Sequence, residues 1–364
     1  MDDTRPNPSP RRLGVVRALS LSFASVALTL LGFATAFAVK AHVPTWVQLG
    51  VSGILVVLAL VLLLFPRRRL ARRTALVFLL LGLSRVAWAV APWKLPAHPG
   101  ALVKTRFVGA PPDTPLWFQG VPEHETVRLG AWTLLTKKEF IFGGAAVDKA
   151  YDEIDESDLF ERTESPLLDS WFQDREHFWL AVPAKSDKPC PLIVFVHGHG
   201  GTFAMYPHLL AREALQRGFA IAFPSYSFGQ WDMKEGKERV GRVVEAVSRE
   251  VPIDRSRIAL VGLSGGGPGV MGAALLDPRK YRSVVAVSCV FPEIHAALEG
   301  TSVLILHGSE DPRAPVQGAR RAYQDLKDAG ARVELEEEPG EDHLAFLTNK
   351  ELWVPRILDW IARR

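Results

Sequence analysis

Along the first quarter of the chain polar positions almost vanish. Val15–Val39, Trp46–Phe65 and Thr74–Trp93 are each apolar over 20 residues or more, the length a helix needs to cross a bilayer. A helix at a protein surface keeps a polar face, whereas Trp46–Phe65 offers only Gln48 and Ser52. The pattern therefore predicts three transmembrane helices within residues 14–93, behind a polar, proline-containing, disordered tail at 1–13. From residue 176 onward the pattern changes to short apolar runs alternating with amphipathic stretches. His177–Val182, Leu192–Val196, Phe219–Pro224, Ile258–Val261, Ser283–Val287, Ser302–Leu306 and Arg332–Glu336 read as strands. Tyr206–Gln216, Glu235–Val251, the stretch after Gly266, Pro315–Ala329 and Glu351–Ala362 read as helices. Continuous β-branched runs such as Leu192-Ile193-Val194-Phe195-Val196 suit strands buried on both faces. Strand and helix in alternation predict a mostly parallel sheet with helices on both sides, an α/β class.

Between these regions, residues 94–175 form a connector rich in proline. Leu102–Val108 and Thr126–Leu135 alternate well enough to be strands. Asp148–Glu164, acidic and sparsely apolar, reads as a solvated loop or short helix. The segment is expected to pack on the following domain as an N-terminal addition, with residues 176–364 as the main globular domain.

Charge sharpens the membrane reading. Eleven of the 43 Lys/Arg residues and only Asp2 and Asp3 of the 40 acidic ones fall in residues 1–93, leaving the remainder at a net −6. The overall basicity thus belongs to the apolar region and is no sign of nucleic-acid binding. Arg11, Arg12 and Arg17 flank the first segment, and Arg67-Arg68-Arg69-Leu70-Ala71-Arg72-Arg73 separates the second from the third. Both basic loops are expected on the cytoplasmic side, which sends everything after Trp93 to the extracytoplasmic face of an integral membrane protein. Arg85 stands inside the third segment without an acidic residue in the other two to pair with. If that segment lies at the interface instead of spanning, the large domain is cytoplasmic. The first segment alone fits a secretory signal, but its apolar run is long for one and two more follow. Cys190 and Cys289 exclude a dense disulfide scaffold and read as small buried groups.

Candidate chemistry gathers where the strands end. The run Ile258–Val261 leads into Gly262-Leu263-Ser264-Gly265-Gly266, a strand, a tight turn with serine at its apex, and a helix. Asp311 follows the strand Ser302–Leu306, and His343 follows the last strand. Ligands of parallel sheets bind at strand carboxyl ends, so all three residues fall where a site is expected. Serine needs a base to become a nucleophile, histidine titrates near neutrality, and a carboxylate can fix the histidine tautomer. Glu310 and Asp342 are rival carboxylates. A backbone oxyanion hole is expected from Gly265 and from His199 in the loop His197-Gly198-His199-Gly200-Gly201. His197 reads as a structural hydrogen-bonding residue beneath that loop. A His197/His199 zinc pair lacks an obvious acidic third ligand, and no lysine follows the glycines as a phosphate loop requires. No metal or cofactor is expected. Tyr226, Phe228 and Trp231, beyond the strand Phe219–Pro224, are candidates for a substrate pocket.

Four loops carry a resemblance. His197–Gly201, Asp254-Arg255-Ser256-Arg257-Ile258 leading to Gly262–Gly266, His307-Gly308-Ser309-Glu310-Asp311-Pro312 and Asp342-His343 match in kind and order the α/β-hydrolase superfamily. Within it the chain from about residue 175 resembles small serine esterases and the catalytic domain of the prolyl-oligopeptidase-like group. The resemblance implies an α/β-hydrolase fold and a membrane-anchored serine hydrolase cleaving a small-molecule or lipid-like carboxylic ester. In that reading Ser264 is the nucleophile, His343 the base and Asp311 the acid. Three alternatives stay open: a peptidase or acyl-aminoacyl hydrolase, an acyltransferase, and an inactive hydrolase fold serving as a membrane scaffold. The chain leaves room for neither a propeller domain nor, at Val290–Thr301, a large lid. Its partners are expected to be the substrate and the bilayer, with no nucleic acid; oligomeric state is not encoded legibly.

Overall fold

A computed structural model describes residues 101–108, 127, 137–160, 176–184, 188–226, 231–277, 279–291, 298 and 300–364. The expected tail and the three apolar segments lie outside the described residues, as do Phe228 and all but Val127 of the strand expected at 126–135. Among the described residues no helix is long and apolar enough to cross a membrane.

In chain order the elements are β1 (Val103–Phe107), α1 (Lys137–Asp155), β2 (His177–Ala181), β3 (Cys190–Val196), α2 (Met205–Gln216) and β4 (Ala220–Pro224). They continue with α3 (Met233–Glu250), β5 (Ile253–Leu263), α4 (Gly267–Leu276), β6 (Ser283–Val287) and β7 (Ser302–Gly308). The chain closes with α5 (Val316–Asp328), β8 (Arg332–Glu338), α6 (Ala345–Thr348) and α7 (Lys350–Ala362). The strands form one eight-stranded sheet in the order β1-β2-β4-β3-β5-β6-β7-β8. From β4 to β8 neighbours are parallel, while β2 runs antiparallel to β4 and β1 antiparallel to β2.

Side-chain alternation along each strand feeds two cores. In β3, Ile193 and Phe195 face the layer of α1, α2 and α7, where they join Leu210, Ile357 and Trp360. Leu192, Val194 and Val196 face the opposite layer with Val243 of α3, Val270 of α4 and Leu326 of α5. Every residue of β3, β4, β6 and β7 is buried, which explains their unbroken apolar runs. Each fully buried side chain of this size stabilises the fold by about 1.5–3 kcal/mol. Helices α3 and α4 approach to backbone contact. A Cβ on Gly236 would stand 2.1 Å from the Gly269 carbonyl oxygen, and one on Gly272 2.1 Å from that of Met233.

Two segments depart from expectation. The first half of the acidic stretch Asp148–Glu164 is neither a loop nor a short helix but the end of the 19-residue α1, and residues 161–164 lie outside the described residues. Val147, Ala150, Tyr151 and Ile154, spaced i, i+3, i+4, i+7, are buried in the first core, while Asp152 is exposed and Asp148 and Glu153 are half-buried. The Glu153 carboxylate accepts from His208 Nε2 of α2 at 2.9 Å and from Lys350 Nζ of α7 at 3.3 Å. With β1 as an outer strand, the connector is part of the sheet and of one helical layer. The second departure is β5, which begins at Ile253 and not at Ile258. Cys190 pairs with Ile253 but Leu192 with Ile258, so the strand carries an irregularity over 254–257. There Asp254 Oδ1 accepts from the Ser256 amide at 3.0 Å and the Ser256 hydroxyl at 2.6 Å, a local side-chain turn.

Candidate active site

The apolar run of β5 ends at Leu263, and Ser264–Gly266 form a single 3₁₀ turn before α4. Ser264 has φ 52°, a left-handed conformation that a non-glycine residue adopts only when its surroundings impose it. The imposition is visible at Gly266, where a Cβ would stand 2.4 Å from the Val196 carbonyl oxygen. β3 and the turn can approach this closely only with glycine there. Ser264 is thereby held at the carboxyl end of β5, next to the positive end of the α4 macrodipole.

Ser264 meets the loops of two other strands. Its Oγ lies 2.9 Å from His343 Nε2, and His343 Nδ1 lies 2.7 Å from Asp311 Oδ2. An ionised carboxylate can only accept, so Nδ1 carries the imidazole proton and Nε2 is free to accept from the serine hydroxyl. Asp311 is fully buried as a side chain, and burial pushes its carboxyl up. The bond to His343 and the amides of Ala314 and Arg313 outweigh that and hold it below the ordinary aspartate value. Those two amides donate to Oδ1 at 2.9 and 2.8 Å, leaving Oδ2 for the histidine. The rival carboxylates are placed elsewhere. Glu310 is exposed, and Asp342 Oδ1 caps the Leu344 amide at 2.8 Å.

On the other side of Ser264 stands the loop after β3. His197 is completely buried; its Nδ1 donates to the Gly198 carbonyl at 2.6 Å and its Nε2 accepts from the Tyr226 amide at 3.0 Å. Both ring nitrogens are committed to backbone, which leaves none for a metal. Burial depresses its pKa to about 4, so the ring is neutral near pH 7. His199 is exposed, and it stands against Gly265. A Cβ on Gly265 would lie 3.4 Å from the His199 backbone nitrogen and 2.7 Å from its Nδ1. Two candidate oxyanion donors, the amides of His199 and Gly265, thus belong to adjoining backbone beside Ser264.

The expected pocket residues separate. Tyr226 is half-buried, with the Arg239 guanidinium 4.7 Å above its ring. Trp231 is 1% exposed and packs beneath His197 and Tyr226 and against Gly269, so it belongs to the core and presents no surface to a substrate. Trp231 is therefore not the pocket residue that its place after a strand end suggests, because the glycine at 269 in α4 opens a slot beneath the loop that the indole fills. Sequence reasoning passed over Val290. Its amide donates to the Ser264 carbonyl at 3.3 Å, and among the described residues it is one of three exposed large apolar side chains. The signal was an apolar pair, Val290-Phe291, just beyond a buried strand. His307, in the run His307–Pro312, carries no sequence signal for a role.

A family described as phospholipase/carboxylesterase matches residues 229–349, about a third of the chain. YuxL of Bacillus subtilis (strain 168), named as an uncharacterized peptidase, is 23% identical over 215 residues, 45% of this chain and 33% of that protein. A thermostable esterase aligns at a TM-score of 0.45 with 21% identity, over 52% of this chain and 59% of its own. An acylaminoacyl peptidase of Pyrococcus horikoshii aligns at 0.42 with 15% identity, over 53% of this chain and 40% of its own. The chain therefore spans a third of the curated relative and about three fifths of the esterase. The fold itself is that of an α/β-hydrolase: a mostly parallel eight-stranded sheet with helices on both faces.

Proposed function

We propose that this protein is a serine hydrolase that cleaves a carboxylic ester through an acyl-enzyme. The observation that carries this reading is the continuous relay from Ser264 Oγ through His343 to Asp311, built at the carboxyl ends of three strands on a strained turn. Ser264 Oγ attacks the ester carbonyl carbon while His343 Nε2 takes the hydroxyl proton. Asp311 accepts from Nδ1 and stabilises the imidazolium. The carbonyl oxygen becomes an alkoxide held by the amides of Gly265 and His199. When the intermediate collapses, the bond to the leaving alcohol breaks and His343 returns the proton to that oxygen. Water then attacks the acyl-serine with the same base, releasing acid and free enzyme.

The exposed Val290 beside the serine carbonyl favours an apolar acyl group over a charged one. Residues 14–93 anchor the enzyme through three spans with the hydrolase domain on the extracytoplasmic face, a reading that rests on the apolar runs and the two basic loops. A chain-length series of p-nitrophenyl esters, run against matched anilides and with Ser264→Ala as control, tests the chemistry. Ester turnover that disappears in the variant supports the proposal. Faster anilide than ester turnover points to a peptidase, and absence of any turnover in a folded preparation points to a scaffold.

A further inference from the structure

His307, at the end of β7, lies outside the relay and is completely buried, yet it is a polar ring set against the acid. Its Nε2 donates to the Ala314 carbonyl at 2.6 Å and lies 3.5 Å from Asp311 Oδ2. Ala314 is the residue whose amide donates to Asp311 Oδ1 at 2.9 Å. The three contacts close a ring: imidazole to the Ala314 carbonyl, Ala314 amide to the carboxylate, and carboxylate Oδ2 back to the imidazole Nε2. Nδ1 is buried and has no hydrogen-bond partner among the described residues. An apolar residue would fill this space without leaving a buried nitrogen unmatched, and it would not demand that penalty. Something other than packing is served by the ring. The charged and titratable groups around it are Asp311, His343 and, across the sheet register on β8, Glu337, which is itself paired with Arg320.

We propose that His307 is a positioning residue for the proposed hydrolysis, fixing the loop 311–314 so that Asp311 Oδ2 stays aligned with His343 Nδ1. The inference rests on the triad reading above. Burial pulls the His307 pKa below the ordinary histidine value, so the ring is neutral near pH 7 with its proton on Nε2, toward the Ala314 carbonyl.

The test compares H307Q with H307N on detergent-solubilised full-length protein. Glutamine places an N–H where Nε2 stands, while the shorter asparagine does not reach the Ala314 carbonyl. H307N is expected to lose at least about tenfold in kcat with KM within about twofold of wild type. Its acid limb in kcat/KM should move to lower pH, because a misaligned Asp311 supports the His343 cation less. H307Q should keep the limb in place and kcat within about threefold, and H307N should cost little more once Asp311 is replaced by Asn. Equal kcat and unshifted limbs in both variants would overturn the proposal, as would losses that follow melting temperature alone. Should H307N fail to fold, H307Q decides, and a displaced limb there counts against the proposal. Wild-type protein that labels at Ser264 with a fluorophosphonate while both variants retain full rates refutes the role of His307 alone. Wild-type protein that does not label refutes the triad reading beneath it.

Discussion

The loops after β3 and at the end of β7 begin with the same dipeptide, histidine-glycine, and the two rings solve opposite problems. His197 and His307 are both completely buried, and each donates one ring N–H to a nearby backbone carbonyl at 2.6 Å. His197 uses Nδ1 for this and spends Nε2 on the Tyr226 amide, so its polar groups are all matched. His307 uses Nε2, leaves Nδ1 without a partner among the described residues, and lies against a carboxylate. A satisfied ring holds a loop as a structural pin. A ring left partly unsatisfied next to the carboxylate of the proposed triad is, on the positioning proposal, kept there for what it does to that carboxylate. Residue type and burial do not separate these roles; the choice of ring nitrogen does.

The largest expected effect removes what both loops serve. Ser264→Ala or His343→Ala should lower kcat/KM for esters by about 10⁴-fold or more, and the double variant should be hardly worse than either, measured by steady-state kinetics. Next, His197→Ala should break the pin and not the chemistry. It leaves the Gly198 carbonyl and the Tyr226 amide without their partner, at a cost of about 2–4 kcal/mol in denaturant unfolding, with activity recovering at low temperature where the variant is folded. An H197A protein of unchanged stability and lost turnover would place His197 in the chemistry and erase the contrast.

The third expectation concerns pH. The folded pKa of His197 is about 4, below the ordinary value near 6.5, so the unfolded chain binds more protons between these values. The stability this group contributes is present above about pH 6.5, and declines as pH falls toward 4, by on the order of 3 kcal/mol. His208 and His307, whose burial also pulls their pKa down, add in the same direction. Unfolding free energies measured from pH 7 to pH 4 should show this slope, shallower in H197A; a flat profile contradicts it. The smallest effect lies far from both loops. Glu153→Gln weakens the ties to His208 and Lys350 at a partly exposed site, and should cost at most about 1 kcal/mol with kcat unchanged.

Much of this architecture can be read from the chain because buried parallel strands leave unbroken apolar runs. Ser283–Val287 is bounded identically in sequence and structure, and the runs ending at Val196 and Pro224 mark two further strand ends. The positions of Ser264, Asp311 and His343 are legible for a related reason: tight turns after such runs need glycine, and the three residues of the proposed triad sit among those glycines. What stays hidden follows from longer-range contacts. The stripe Val147, Ala150, Tyr151, Ile154 is present, but the acidic residues between its members obscure a helix whose partner surface is formed by α2 and α6. The early start of β5 depends on a side-chain turn at Asp254, which no periodicity reports. Trp231 and His307 both lie just beyond or at strand ends, where a side chain can turn into the core or toward the cleft. Neither direction is written in local sequence.

The central claim is that Ser264 is a nucleophile activated by His343. Its most direct test is labelling of the solubilised full-length protein with a fluorophosphonate, followed by mass mapping of the modified peptide and the same reaction on S264A and H343A. Rapid labelling at Ser264 alone, absent in S264A and slowed by orders of magnitude in H343A, is the predicted result. A folded wild-type protein that stays unlabelled, or one labelled equally well without His343, would contradict it.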